Sequence, residues 1–184
     1  RPKVIFFSSQ KIDLTQISPI RSGMQVYSGN HPQTGKQMTE ISYRDLPWPV
    51  RDDITAAQAR TWEKLAQPST WLIGAERIAI AAEARQAQDC RLCRERKDAL
   101  SPEMVQGEHD HLGQLSALEV EQIHRIRTDP GRLSRAWFQG LAAKGMIEER
   151  YVDTVGVIAN VVAVDTFTKG LGLDPWPLPV AQPG

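Results

Sequence analysis

The chain has 184 residues, which suits one domain and allows a hydrophobic core without disulfide staples. Hydrophobic residues make up 41% and charged residues 24%, as in an ordinary soluble globular protein. The 22 basic residues balance the 22 acidic ones, so charge gives no reason to expect nucleic acid or an anionic membrane as a partner. No apolar stretch predicts a membrane span.

Residues 1–54 are predicted to form an extended N-terminal arm, because Ser, Gly, Pro, Gln and Thr are scattered through them without helical periodicity. A short strand is predicted over 23–28, followed by a turn over 29–32. The two prolines in Leu46-Pro47-Trp48-Pro49 favour extended backbone. We expect the arm to lie over its own domain or over a neighbouring subunit.

Residues 55–173 are predicted to form an all-α domain. Thr55 is expected to cap its first, short helix. A longer helix is predicted over about 74–96, because this segment is rich in Ala, Glu, Arg and Gln, which are good helix formers. A turn of helix near Pro102 and a polar loop over 107–113 follow it.

The second half of the domain carries clear helix start signals. Ser116 begins a capping box that predicts the next helix, and Ser134 caps another, which Gly145 ends. The most apolar helix is predicted over about 148–169 and is interpreted as the central core helix. Residues 174–184 form a Pro-rich tail, interpreted as a surface strap that cannot be helical.

The pair Cys90-x-x-Cys93 is the most informative feature of the sequence. Two cysteines do not make a disulfide framework, so a reducing, cytoplasmic location is expected. Thiols at this spacing can form a disulfide or share a metal. If the helix over 74–96 is continuous, Glu83 lies two turns before Cys90 on the same face, where its carboxylate could accept a thiol proton through a water. The alternative is that both cysteines are small core residues.

Four segments, in their order and spacing, resemble the AhpD-like group of the carboxymuconolactone decarboxylase superfamily. They are Gly74-Ala75-Glu76-Arg77, Cys90-Arg91-Leu92-Cys93, Arg127-Thr128-Asp129-Pro130-Gly131-Arg132 and the apolar run from Val155 to Leu173. The resemblance covers about residues 55–173. The N-terminal arm and the Pro-rich tail fall outside it.

The resemblance implies an all-helical fold, assembly as a trimer or hexamer, and an antioxidant alkylhydroperoxidase activity. In that cycle Cys93 is the peroxidatic thiol and Cys90 the resolving thiol, Glu83 is the nearest candidate for the proton-relay carboxylate, and an external dithiol reduces the resulting disulfide. Neither an organic cofactor nor a bound metal is expected.

Two positions depart from the family pattern. The family has a histidine four residues after the second cysteine, where this chain has Lys97, and a carboxylate about twelve residues before the first cysteine, where it has Ile78. The relay could be rebuilt from His124, from His111 or from its neighbour His109. The alternative for His124 is a half-buried surface histidine, and for the loop histidines it is simple solvent exposure.

Three further alternatives remain open at this point. Cys90, Cys93, His109 and His111 together have the composition of a Cys₂His₂ zinc site, although the spacing is not that of a zinc finger and a chain of this size does not need zinc to fold. The chain could also be a non-enzymatic helical oligomer of the same fold. It could also be a decarboxylase- or isomerase-like enzyme that uses Glu and His without a thiol.

Overall fold

The computed structural model describes residues 41–184 of the chain, and within that range it contains six α-helices and no strand. The helices are α1 (Asp52–Ala66), α2 (Gly74–Gln86), α3 (Arg91–Asp98), α4 (Ala117–Thr128), α5 (Arg135–Ala143) and α6 (Glu148–Gly170). Short 3₁₀ turns lie at Ala87–Asp89, Pro102–Met104 and Pro130–Arg132. The predicted all-α class is confirmed, and the strand and turn predicted over 23–32 lie outside the described residues.

The capping signals in the second half of the chain are confirmed. Ser116 Oγ accepts the Glu119 N–H and the Glu119 carboxylate accepts the Ser116 N–H, which is a complete capping box. Ser134 Oγ accepts the Trp137 N–H at 3.1 Å. Gly145 has a φ of +95° just after α5, a conformation that glycine adopts without strain.

The start of α1 differs from the prediction. The helix begins at Asp52, three residues before the expected cap at Thr55. Two acidic residues, Asp52 and Asp53, occupy its first turn and interact favourably with the positive end of the helix dipole. The Thr55 hydroxyl instead donates to the carbonyl oxygen of Arg51, the residue that precedes the helix.

The core forms where α1, α2, α4 and α6 meet, and α2 contacts the other three. The side chains that fill it are apolar and almost inaccessible to water. They include Trp62 and Leu65 of α1, Ile80, Ala81 and Ala84 of α2, Ile123 of α4, and Val157, Ile158, Val161 and Val164 of α6. The interpretation of α6 as a core helix is therefore confirmed.

Two ion pairs fix α2 against α6. Arg77 meets Asp153 at 2.7 Å, and Arg85 forms a bidentate pair with Asp165 at 2.9 and 2.7 Å. The Asp165 side chain is only 3% exposed. Because a buried carboxylate is costly unless a cation and its hydrogen bonds compensate it, this pair sets the position of α2 along α6.

The Pro-rich tail lies against the same helices. Trp176 is buried, the Trp62 indole N–H donates to the Pro177 carbonyl oxygen at 2.8 Å, and the Gln182 N–H donates to the Ala66 carbonyl oxygen at 2.8 Å. The segment therefore covers the end of α1, as a surface strap would.

Helix α6 is long and apolar enough to cross a membrane by length and composition alone, with a mean hydropathy of 1.2 over its best window. The sequence interpretation did not anticipate this. One such helix is weak evidence of membrane insertion, because the core helix of a water-soluble domain passes the same test. In this fold α6 packs against α1, α2 and α4.

Gly74 marks a close approach between α2 and the rest of the domain. A Cβ atom at this position would collide with the backbone carbonyl oxygens of Ala66 and Gln182. Those two residues are themselves joined by a backbone hydrogen bond, so neither can move aside freely. Only a residue without a side chain allows the end of α1, the start of α2 and the tail to meet here.

We predict that Gly74→Ala lowers the free energy of unfolding by about 1–3 kcal/mol, the usual cost of overpacking a tight site. Gly140→Ala is the matched control, because Gly140 lies within α5 with open space around it, and alanine there favours the helix. Urea denaturation of both variants measures the difference. Equal stability of Gly74→Ala and the wild type would contradict the proposed close packing.

Candidate functional site

The two thiols lie where the predicted long helix is interrupted. Helix α2 ends at Gln86, a 3₁₀ turn follows at Ala87–Asp89, and Cys90, in extended conformation, precedes the new helix α3. The prediction of one continuous helix over 74–96 is therefore wrong. Asp110 stabilises the interruption, because its carboxylate accepts the Arg91 N–H at 2.7 Å and so satisfies a free donor at the start of α3.

Both cysteines are free and buried. The side chain of Cys90 is inaccessible to solvent and Cys93 is 4% exposed. They form a small apolar cluster with Leu92, separate from the main core, against which Val105 packs. The burial fits the alternative of small core residues, but their polar neighbours do not.

Two histidine side chains approach the sulfur atoms. His109 Nδ1 lies 3.5 Å from both Cys90 Sγ and Cys93 Sγ. His124 Nδ1 lies 3.3 Å from Cys93 Sγ. The two sulfur atoms and one nitrogen of each ring all lie within 4.8 Å of one another. Four reactive side chains from α3, α4 and the loop before α4 therefore meet at one point.

A carboxylate holds the far nitrogen of each ring. His124 Nε2 is 2.8 Å from Glu83 Oε1, and neither side chain is accessible to solvent. His109 Nε2 is 2.9 Å from Glu121 Oε2, which also accepts a hydrogen bond from Arg96 at 2.8 Å. Because a carboxylate accepts the proton on Nε2, each ring presents Nδ1 to the sulfur atoms.

The surroundings shift the pKa values of the two histidines in opposite directions. Burial and the nearby His109 lower the pKa of His124, against the opposing effect of Glu83. For His109, burial acts against the charged form, but Cys93, Glu121 and Cys90 outweigh it and raise the pKa to about 10. His109 is thus the cationic ring and His124 the neutral one.

His109 lowers the pKa values of two acidic groups beside it, Glu121 and Cys90. Burial disfavours the Glu121 carboxylate, but His109 and Arg96 lower its pKa to about 2. Burial likewise disfavours the thiolate of Cys90, yet the Cys93 backbone N–H and the His109 ring bring the Cys90 pKa below its ordinary value. This part of the site stabilises negative charge on sulfur.

The loop before α4 is attached to the site by hydrogen bonds. Glu83 uses its second oxygen to accept the Leu112 N–H at 3.1 Å, and Asp110 caps α3. His109 is directed inward from this loop, with a side chain 8% exposed. His111 is exposed, and its Nδ1 accepts the Gly113 N–H at 3.0 Å.

The structure thus brings together four of the five predicted catalytic residues: Cys90, Cys93, Glu83 and His124. It does not bring His111 to them. His124 is fully buried rather than a half-buried surface residue. Glu83 reaches the thiols through His124, and not along a helix face, because the interruption before α3 turns Cys90 away from the face of α2.

Three residues of the site were not predicted correctly from the sequence. His109 was expected to be exposed, and neither Glu121 nor Arg96 was singled out. The available signal was the spacing of Glu121 and His124, which at i and i+3 lie on one face of α4. A carboxylate and a histidine facing the same neighbour suggest a polar site rather than a solvated helix surface.

A cleft of about 260 Å³ borders Cys93. Its charged lining residues are all basic: Arg94, Lys97 and Arg127. Lys97 therefore contributes charge at the cleft and is not one of the four converging groups. Cys93 lines this cleft and Cys90 does not, so Cys93 is the cysteine that a ligand in the cleft would contact.

Comparison of the chain with protein-family models, with curated proteins and with solved structures found no match in any of the three. The resemblance to the AhpD-like group therefore rests on the four sequence segments given above. The function is therefore inferred from the geometry of the site.

We predict that iodoacetamide modifies Cys93 faster than Cys90 in the folded, chelator-treated protein. The lowered pKa of Cys90 favours the opposite order, but Cys90 is fully buried and only Cys93 borders the cleft. Peptide mass spectrometry over time measures both rates. Equal labelling in denaturant is the control, and faster labelling of Cys90 in the native protein would show that access to the cleft does not decide reactivity.

Proposed function

We propose that this protein is an AhpD-like dithiol oxidoreductase that reduces hydroperoxides. The observation that carries the proposal is the continuous chain of contacts from Glu83 through His124 to Cys93, with Cys90 beside it. In this arrangement a buried carboxylate, an imidazole and a thiol act in series, which is how proteins activate a weak nucleophile.

The relay assigns a role to each group. Glu83 accepts the proton on His124 Nε2 and so fixes the ring with an unprotonated Nδ1 towards Cys93. His124 then accepts the Cys93 thiol proton. His109 is hydrogen-bonded to the same sulfur and stabilises the thiolate. His109 and His124 would thereby take over the role of the histidine that the family has at the position of Lys97.

Access to the cleft favours Cys93 as the attacking sulfur. Its thiolate attacks the terminal oxygen of a hydroperoxide, the O–O bond breaks, and His124 returns the proton to the leaving alkoxide to give an alcohol. Cys93 is left as a sulfenic acid. The Cys90 sulfur then attacks the Cys93 sulfur, releasing water and forming the disulfide, and an external dithiol restores both thiols with formation of its own disulfide.

The basic cleft supports a preference for substrates with an anionic group. Arg94, Lys97 and Arg127 supply the charge, and the Arg127 Nε atom is buried without a hydrogen-bond partner in the described part of the chain. The positive charge of these three side chains would attract a hydroperoxide that carries a carboxylate. Assembly as a trimer or hexamer and a reducing, cytoplasmic location are retained as parts of the proposal that come from the resemblance and the cysteine content.

We predict that His124→Gln slows peroxide reduction by about 10²-fold or more, because loss of a positioned general base typically costs 10²–10⁴-fold. His111→Gln is the matched control, since His111 is exposed and contacts none of the four converging groups. The assay follows consumption of tert-butyl hydroperoxide with dithiothreitol as reductant, after chelator treatment.

Two cysteine variants complete the test. Cys93→Ser should abolish activity, whereas Cys90→Ser, pre-reduced and then freed of dithiothreitol, should consume one equivalent of peroxide and accumulate a sulfenic acid that dimedone traps. If Cys93→Ser reduces peroxide as fast as the wild type, the proposal is wrong, and enzyme chemistry without a thiol gains support. If the wild type and all variants consume peroxide only at the rate measured without protein, the non-enzymatic alternative gains support.

We also predict that Lys97→Gln reduces the preference for an acidic hydroperoxide over its methyl ester by about two- to fivefold, the effect of one exposed charge. Kinetics with the matched acid and ester measure the preference, and the ester alone reports any general loss of activity. An unchanged preference would mean that Lys97 does not contact the substrate.

A further inference from the structure

The four groups that meet at the site are also the kinds of donor that zinc prefers. Two are cysteine sulfurs and two are imidazole nitrogens, contributed by Cys90, Cys93, His109 and His124. Cys₂His₂ is a standard donor set for a closed tetrahedral zinc site. The sequence alone paired the thiols with His109 and His111, whereas in the structure His111 is exposed and the fourth converging side chain is His124.

The distances fit a common central ion. With zinc–sulfur bonds near 2.3 Å and zinc–nitrogen bonds near 2.0–2.1 Å, tetrahedral angles put neighbouring sulfur and nitrogen atoms about 3.5 Å apart. Three of the four sulfur–nitrogen distances in the site are 3.5, 3.5 and 3.3 Å. The remaining donor pairs lie within 4.8 Å, close enough for small movements to complete the coordination.

The position of the His109 ring also supports a shared ion. Its Nδ1 atom is equally distant from the two sulfurs, at 3.5 Å. A ring nitrogen has one in-plane direction for a proton or a lone pair, so it can make one good hydrogen bond. A nitrogen placed equally far from both sulfurs is better suited to bind an ion that both sulfurs also bind.

The hydrogen bonds that hold the two histidine rings are also typical of a metal site. Metal-bound histidines generally donate their other ring N–H to a carboxylate or a carbonyl, which fixes the ring and increases its basicity. Here both histidines do so, His124 to Glu83 and His109 to Glu121. Arg96 then anchors Glu121. Two complete histidine–carboxylate pairs around one point exceed what a single proton relay requires.

We propose that the reduced protein binds one zinc ion, or another divalent ion with the same ligand preference, through Cys90, Cys93, His109 and His124. All four positions are filled by protein, so the ion has no open position for a substrate. It also engages the Nδ1 atom that would accept the Cys93 proton. The metal-bound form is therefore a masked form, in which the thiolates react more slowly with oxidants and alkylating agents than the thiols of the metal-free protein.

The link between metal and redox state rests on the proposed function, whereas metal binding itself does not. Two metal-bound thiolates, one hydroperoxide and two protons give a disulfide, an alcohol, water and the free ion. A disulfide offers no thiolate ligand, so oxidation releases the metal.

The first experiment titrates the chelator-treated, dithiol-reduced protein with Co²⁺. We expect one equivalent to bind and to give thiolate-to-cobalt charge transfer together with the intense visible bands of tetrahedral cobalt, which zinc then displaces. Weak bands of octahedral cobalt, or no saturable binding, would overturn the proposal. This measurement uses the wild-type chain and does not depend on the folding of any variant.

The second experiment compares two histidines that are two residues apart in one loop. His109→Asn should weaken zinc affinity by more than 100-fold, measured by competition with a chromophoric chelator, while His111→Asn should leave it unchanged. Glu121→Gln, which alters only the outer contact, should weaken it by about 10–100-fold. Circular dichroism monitors the fold of each variant, and equal affinities of His109→Asn and His111→Asn would exclude His109 as a ligand.

The two proposals can fail separately. Stoichiometric tetrahedral cobalt without peroxide consumption by the metal-free protein would leave the metal site intact and reject the oxidoreductase. Peroxide consumption without metal binding would reject the metal site alone. If both hold, zinc should suppress alkylation of Cys93 at least 10-fold, and one equivalent of hydroperoxide should release the bound ion.

Discussion

The site depends on one buried contact, the hydrogen bond between Glu83 and His124. Both side chains are fully buried, so each would be strongly destabilising without the other. The bond joins α2 to α4, fixes which His124 nitrogen faces Cys93, and leaves the second Glu83 oxygen to hold the loop at Leu112. One carboxylate thus sets the helix arrangement, the ring orientation and the position of the segment that carries His109.

The helices were largely predictable because their signals are local. Ser116 and Ser134 cap helices through side chains only three residues from their partners, and α6 is apolar over most of its length. The interruption between α2 and α3 has no such signal, since Ala87, Gln88 and Asp89 are not helix breakers. It arises from a tertiary contact, the carboxylate of Asp110 on the Arg91 N–H, which periodicity does not reveal.

The same distinction explains what could be predicted of the site. The thiols were identifiable from their spacing, and Glu83 and His124 from their chemistry. The roles of these residues were harder to infer. Glu83 was expected to act directly on Cys90, but the interruption after α2 removes Cys90 from the helix face that carries Glu83. His109 and His111 occupy the same polar loop and are equivalent in sequence. Only the fold distinguishes them, by pairing His109 with Glu121 and leaving His111 exposed.

The geometry makes proton transfer and metal binding mutually exclusive uses of the same atoms. Both require the carboxylates to hold Nε2, because this directs Nδ1 at sulfur, and both require Cys90 and Cys93 close together. They differ in what lies between sulfur and nitrogen, a proton in one case and an ion in the other. Because a proton and an ion compete for the same lone pairs, a geometry that suits proton transfer from thiol to imidazole also suits a metal ion. If both proposals hold, the contacts that activate Cys93 in the metal-free protein also mask it in the metal-bound protein.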